Sequence, residues 1–154
     1  MKTKALKAGK KIRYVLMSSA KDGELFYCKL GRFFCSKRVT DEMGGYQVVD
    51  DESRIWVVAF DGDIAIGFCS FSTARAEKRI VDLCDSYVDP SYRKLGIYGE
   101  MFKLRDKQAE GWLPDGGTIK GIAMQVSEKV FLANGYHKAS QRGRFAYMVR
   151  EVAK

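Results

Sequence analysis

Hydrophobic residues fall along the chain in runs whose period changes, and the changes mark out the elements. Ile12-Arg-Tyr-Val-Leu-Met17 predicts a short strand closed by Ser18-Ser19. Between residues 23 and 39, Leu25, Phe26, Leu30, Phe33 and Phe34 recur at helical spacing, with Lys29, Arg32 and Lys37 between them. This predicts helix, and Gly31 inside the pattern leaves open two short helices instead of one. Residues 40–53, with Gly44-Gly45 and the acidic Asp50-Asp51-Glu52, predict a loop. Ile55–Phe60 and Ile64–Phe71 are β-forming runs around Asp61-Gly62-Asp63, a hairpin signal because Asp-Gly accepts the positive φ of a tight turn. A polar loop over 72–78 and a third run, Arg79–Val88, complete a meander.

A turn punctuated by Pro90 then leads into a helix over about 97–110. Its expected core stripe is Ile97, Met101, Leu104 and Gln108, flanked by Tyr98, Phe102 and Ala109. Gly111 and Pro114 stop it. Thr118–Met124 reads as a strand, and Val126–Asn134 as a short helix with Gly135 placed for a left-handed cap. Residues 136–141 and 143–150 read as a closing strand pair around Gly143. A strand–helix–strand crossover makes strand 118–124 parallel to strand 79–88 and its neighbour. The order predicts an α/β fold (α+β in its mixed sheet), with six or seven strands and helices on both faces.

Composition fits one folded domain over residues 12–154 behind a basic, mobile lead-in over residues 1–11. Hydrophobic residues make up 46% of the 154, which excludes a disordered chain. No apolar run reaches the roughly 18–20 residues of a membrane span. The basic start lacks a following apolar segment, so no secretory signal is expected and the chain is placed in the cytoplasm. Cys28, Cys35, Cys69 and Cys84 form no Cys-x-x-Cys pair, and the single histidine is His137, so no metal site is expected. The thiols read as buried and reduced, with a catalytic Cys84–His137 pair as the alternative. The net charge is +8, concentrated before Asp22 and in Lys138, Arg142, Arg144 and Arg150. Such an excess points to an anionic partner: nucleic acid, a phosphorylated cofactor or an acidic protein surface.

The stretch that carries chemistry is Tyr87-Val-Asp-Pro-Ser-Tyr-Arg-Lys-Leu-Gly-Ile-Tyr-Gly-Glu-Met-Phe102. A strand feeds a turn with two basic residues and a glycine, and the turn opens a helix. Unpaired N–H groups and the positive end of the helix suit a phosphate. Arg93-Lys-Leu-Gly96-Ile-Tyr98, followed by Gly99, resembles the Arg/Gln-x-x-Gly-x-Gly/Ala signature of the GNAT (GCN5-related) N-acetyltransferases. Tyr87-Val-Asp-Pro-Ser-Tyr92 resembles the family's lead-in, and Val130-Phe-Leu-Ala-Asn-Gly-Tyr136 its Tyr-Glu-x-x-Gly-Phe. The meander around Asp61-Gly62 matches too, so the likeness covers about residues 12–150.

The resemblance implies an acetyl-CoA (or other acyl-CoA) donor, with Arg93, Lys94, Leu95, Gly96, Ile97, Tyr98 and Gly99 around the pyrophosphate. It implies Tyr87 and Val88 along the pantetheine arm, with Phe131 near the thiol. Two departures stand out. Tyr98 occupies the second Gly/Ala position, and Phe131 occupies that of the family's frequent general acid, a tyrosine. Candidates for the proton transfers are Asp85 as base, sharing a strand face with Leu83 and Tyr87 if alternation is regular, and Ser127 and Tyr147 as acids. Ser127 equally suits a helix cap. The expected acceptor is an amine on a nucleic-acid base or a protein lysine, with polyamines disfavoured by the charge. The competing reading is a non-catalytic module of the same fold that binds nucleic acid or a partner protein.

Overall fold

The computed structural model describes residues 12–154, so the lead-in expected over residues 1–11 lies outside the described residues. The strands are β1 (Arg13–Met17), β2 (Arg54–Asp61), β3 (Ile64–Ser72), β4 (Ile80–Val88), β5 (Gly117–Ala123), β6 (His137–Arg142) and β7 (Phe145–Val152). They form one mixed sheet in the order β1-β2-β3-β4-β5-β7-β6. The helices are α1 (Ser19–Asp22), α2 (Glu24–Phe34), α3 (Lys37–Glu42), α4 (Ile97–Glu110) and α5 (Gln125–Ala133). The predicted order and hairpin are present: Gly62 turns β2 into β3 at φ +62°.

The helix expected over 23–39 breaks at Ser36, not at Gly31. The Ser36 side chain accepts the Val39 N–H and caps a new helix, which runs on to Glu42 inside the predicted loop. On the first face of the sheet, α2 buries Phe26, Leu30 and Phe33 against Trp56, Val58, Phe68 and Tyr87. On the other face, α4 and α5 cover two adjoining clusters, one with Val57, Cys69, Val88 and Met101, the other with Phe71, Leu83, Phe102 and Phe131.

The α4 stripe differs from the expected one. Its buried row is Ile97, Met101, Arg105 and Ala109 with Phe102, whereas Leu104 is 37% exposed and Arg105 only 1%. A row stepped by four residues falls on the inner face here, and it takes in an arginine where the predicted row took Leu104. The thiols differ as well: Cys28 and Cys35 are exposed, Cys84 is partly buried and Cys69 buried. Cys28 falls between the inward residues of α2, and Cys35 is that helix's C-cap. No described helix is long and apolar enough to cross a membrane.

Candidate active site

β4 lies at the centre of the sheet and is irregular on both edges. Toward β3 the pairs run Gly67↔Val88, Phe68↔Tyr87 and Cys69↔Ser86, and then Phe71↔Leu83. Ser70 therefore faces both Cys84 and Asp85, a β-bulge. Toward β5 the parallel pairing covers Ile80↔Thr118, Val81↔Ile119 and Asp82↔Lys120 and ends there. From Leu83 to Val88 the two strands part, and β5 continues alongside β7 through Ala123↔Ala146. The result is a split in the sheet, one wall formed by β4 backbone and the other by the end of β5 and the start of α5.

The bulge corrects the expected face of Asp85. Leu83 packs with Phe102 and Phe131 on the α4–α5 face, whereas Tyr87 packs with Phe33 and Phe68 on the α2 face, so the two cannot share a side with Asp85. Asp85 meets Arg54, whose Nη1 donates to Oδ2 at 3.0 Å. Arg54 also donates to the Val49 carbonyl at 2.8 Å and lies 3.3 Å from Asp51. Burial pushes the Asp85 carboxyl above its ordinary range, and Arg54 with backbone N–H groups pulls against that.

At the open end of the split lies the turn. The 3₁₀ turn Pro90–Tyr92 hands the chain to Arg93, Lys94 at φ +62°, and Gly96 at φ +81°. Gly96 is the N-cap of α4 and provides no side chain, and the first helical bond runs from Glu100 N–H to the Gly96 carbonyl at 3.2 Å. The N–H groups of Ile97, Tyr98 and Gly99 are left without helical partners. A Cβ at Gly96 or Gly99 would meet nothing within 4 Å. Lys94 is exposed, Leu95 half-buried and Ile97 buried. Arg93 turns away from this opening: it donates from Nε to the Val88 carbonyl at 2.8 Å and pairs through both terminal nitrogens with Glu42. The Tyr87 hydroxyl donates to Glu42 at 2.5 Å, and burial with that carboxylate pushes the phenol up to about 12.

The remaining candidates are spread around the split. Phe131 is 3% exposed, its ring against Phe102 at 4.8 Å and over Gly121 of β5. Ser127 caps α5, accepting the Met124 N–H and donating to the Met124 carbonyl, both at 3.1 Å. Tyr147 pairs with Ile122 and Ser140, with Arg142 5.7 Å over its ring. Cys84 and His137 do not come together: β5 and β7 lie between their strands, roughly 14 Å at about 4.8 Å per strand. Burial pushes the Cys84 thiol up to about 11, the wrong direction for a nucleophile.

Two residues absent from the predicted site hold it together. Arg105 reaches from α4 to the bulge, donating to the Cys84 carbonyl at 3.1 Å, the Ser86 hydroxyl at 3.0 Å and the Ser70 carbonyl at 3.4 Å. Its place on the row Ile97–Met101–Arg105 was the available signal. Glu42 clamps Arg93, and nothing in the sequence links positions that far apart. Among the described residues no group of three His, Cys, Asp or Glu side chains could hold a metal ion.

The family profile described as "Acetyltransferase (GNAT) family" matches residues 25–118. No curated protein sequence matches. Among solved structures, Escherichia coli ElaA superposes with a TM-score of 0.76 at 13% identity, covering 92% of this chain and 100% of that one. An acyl-CoA N-acyltransferase from Pseudomonas aeruginosa superposes at 0.75 with 13% identity, over 91% and 99% of the two chains. The PaiA N-acetyltransferase from Thermoplasma acidophilum, in complex with coenzyme A, superposes at 0.59 with 13% identity, over 92% and 99%. The shared fold is the one the sequence resemblance implied.

Proposed function

Since the chain belongs to the acetyltransferase (GNAT) family, with acyl-CoA as the donor, we propose that it transfers an acetyl group from acetyl-CoA to an amine carried by an anionic macromolecule. The observation that carries this reading is the parting of β4 from β5 beyond Asp82↔Lys120, with the uncapped start of α4 at its mouth. Coenzyme A fits these residues. Its pyrophosphate needs N–H donors, and the free groups of Ile97, Tyr98 and Gly99 stand beside an exposed Gly96 and Lys94. Its arm carries amides, and the edge of β4 that β5 leaves unpaired beyond Asp82 offers them backbone partners near Tyr87 and Val88, the Val88 carbonyl itself being held by Arg93.

Asp85 is the proposed base. Its raised pKa suits a carboxylate that must accept a proton from an amine near neutrality, directly or through water. The loosened backbone at the bulge supplies N–H groups to the carbonyl oxygen as charge builds there. Tyr147 and the exposed Ile122 line the acceptor side. The anionic acceptor rests on the +8 net charge and on β6, whose exposed face carries Lys138 and Arg142. The four cysteines are all free, which suits the reducing cytoplasm.

The test is thiol release from acetyl-CoA with three acceptors: a single-stranded oligonucleotide, a lysine peptide flanked by acidic residues, and a polyamine. Turnover with the first or second supports the proposal. Turnover with the polyamine alone overturns the anionic acceptor. Absence of CoA binding, unchanged by Arg93→Glu or Gly96→Glu, overturns the enzyme reading and leaves the non-catalytic module.

A further inference from the structure

Transfer to an amine leaves the donor's sulphur needing a proton, and Phe131 has none to give. A different hydroxyl reaches the split. Tyr98 stands where the turn signature has glycine or alanine, and its ring packs edge-on to Phe102 at 6.1 Å and against both clusters of the α4–α5 face. Its ring direction carries the hydroxyl inward, toward Ser86 on β4 and Ser127 on α5, one on each wall of the split; burial pushes the phenol up, and Arg105 and the two serine hydroxyls pull against that. Behind Ser86 stands Arg105, with Nη1 3.0 Å from Oγ. The Nε and Nη2 of Arg105 are buried without a hydrogen-bond partner. A buried guanidinium with no carboxylate beside it is costly, and it favours negative charge on whatever acid lies nearby.

We propose that Tyr98 is the proton donor of the reaction, its hydroxyl held across the split by Ser86 and Ser127, with Arg105 stabilising the phenolate it becomes. The inference rests on the acetyltransferase reading. As the N–C bond to the acceptor forms, the C–S bond breaks and its electron pair goes to sulphur, which takes the Tyr98 proton. Asp85 takes the proton released by nitrogen and passes it to solvent, and solvent reprotonates Tyr98. Nothing is oxidised or reduced. Ser127 thereby has two uses, capping α5 and aiming the phenol.

The test is Tyr98→Phe, which keeps the ring and its packing. Titration calorimetry compares CoA with desulfo-CoA, which lacks the sulphur, at an alkaline pH where the free thiol is ionised. The wild type is expected to prefer CoA by roughly tenfold, the worth of one hydrogen bond to a charged group. The variant should lose that preference while binding desulfo-CoA as tightly as before. Its kcat should fall by about 10²-fold, with KM for acetyl-CoA little changed. A variant with wild-type kcat or an unchanged CoA preference overturns the proposal. So does a parallel loss of desulfo-CoA affinity and thermal stability, the signature of packing alone. A wild type that binds neither ligand removes the acetyltransferase reading itself, and the inference with it.

Discussion

Glu42, at the end of α3, holds Arg93 with both carboxylate oxygens, Nη1–Oε1 at 3.2 Å and Nη2–Oε2 at 3.1 Å. The arginine of the turn signature thus fastens the turn to the helices on the other face of the sheet. Both side chains are over a third exposed, so the pair contributes only about 0.2–1 kcal/mol. Its larger effect is on shape, because the same guanidinium also holds the Val88 carbonyl. Glu42→Gln should therefore leave Tm nearly unchanged and weaken CoA binding measured by calorimetry. Arg93 first, then Tyr87, hold the Glu42 carboxyl below its ordinary 4.5. Because the folded pKa is depressed, this stabilisation is complete above about pH 4.5 and is lost as pH falls through the lower folded value. The Gln variant should lack that part of the acid sensitivity in a pH series of melting curves.

Gly121 is a packing glycine, not a turn glycine. A Cβ there would stand 2.6 Å from Phe131 Cε1 and 2.9 Å from Cζ, with Leu83 at 3.4 Å. The ring cannot retreat, since Phe102 and Tyr136 flank it at 4.8 and 5.1 Å. Gly121→Ala should cost about 1–3 kcal/mol. At roughly 2–4 °C per kcal/mol for a chain of this size, a differential scan will show the loss.

Arg105→Met tests the bulge. Methionine fills much of the same volume and removes a buried charge, which by itself is neutral or stabilising. It also strips the donor from the Cys84 and Ser70 carbonyls and the Ser86 hydroxyl, leaving buried acceptors unpaired. The expected outcome is a kcat loss of more than about tenfold together with a modest fall in Tm, and faster hydrogen exchange confined to β4 around residues 84–86. Unchanged exchange there would show that the bulge stands without its arginine.

What could be read from the chain follows from how local each signal is. The β2–β3 hairpin needed only Asp61-Gly62, and the start of α4 needed only the turn before Ile97. The split between β4 and β5 left no mark of that kind, because it is a property of two strands separated by a whole helix. The bulge was hidden for a related reason: alternation along β4 looks regular until Ser70 on β3 is seen to face two residues. Arg105 falls outside the predicted core row because a charge on a helix defaults to solvent, and only the carbonyls freed at the bulge make an interior place for it. Tyr98 flanks the predicted core stripe of α4 and packs there, edge-on to Phe102, but nothing local in the sequence says which residues across the sheet its hydroxyl approaches.

Asp85→Asn separates the proposed base from a structural ion pair. Arg54 keeps two other partners, the Val49 carbonyl at 2.8 Å and Asp51 at 3.3 Å, so losing the Asp85 charge does not strand it. Burial, the larger influence, raises the Asp85 carboxyl above its ordinary 3.8. A folded pKa above the unfolded one means that the native state binds the proton more tightly, so Asp85 stabilises the fold at low pH and loses that contribution as pH rises through the folded value. Near neutrality the neutral amide should therefore hold Tm close to wild type. Activity should behave in the opposite way. A base works only when deprotonated, so the wild-type rate should fall on the acid side through a limb above the ordinary carboxylate value. In the amide variant kcat should drop by about 10²–10⁴-fold and that limb should vanish from the pH–rate profile. A variant that loses stability while keeping rate and profile would make Asp85 a partner of Arg54 and nothing more.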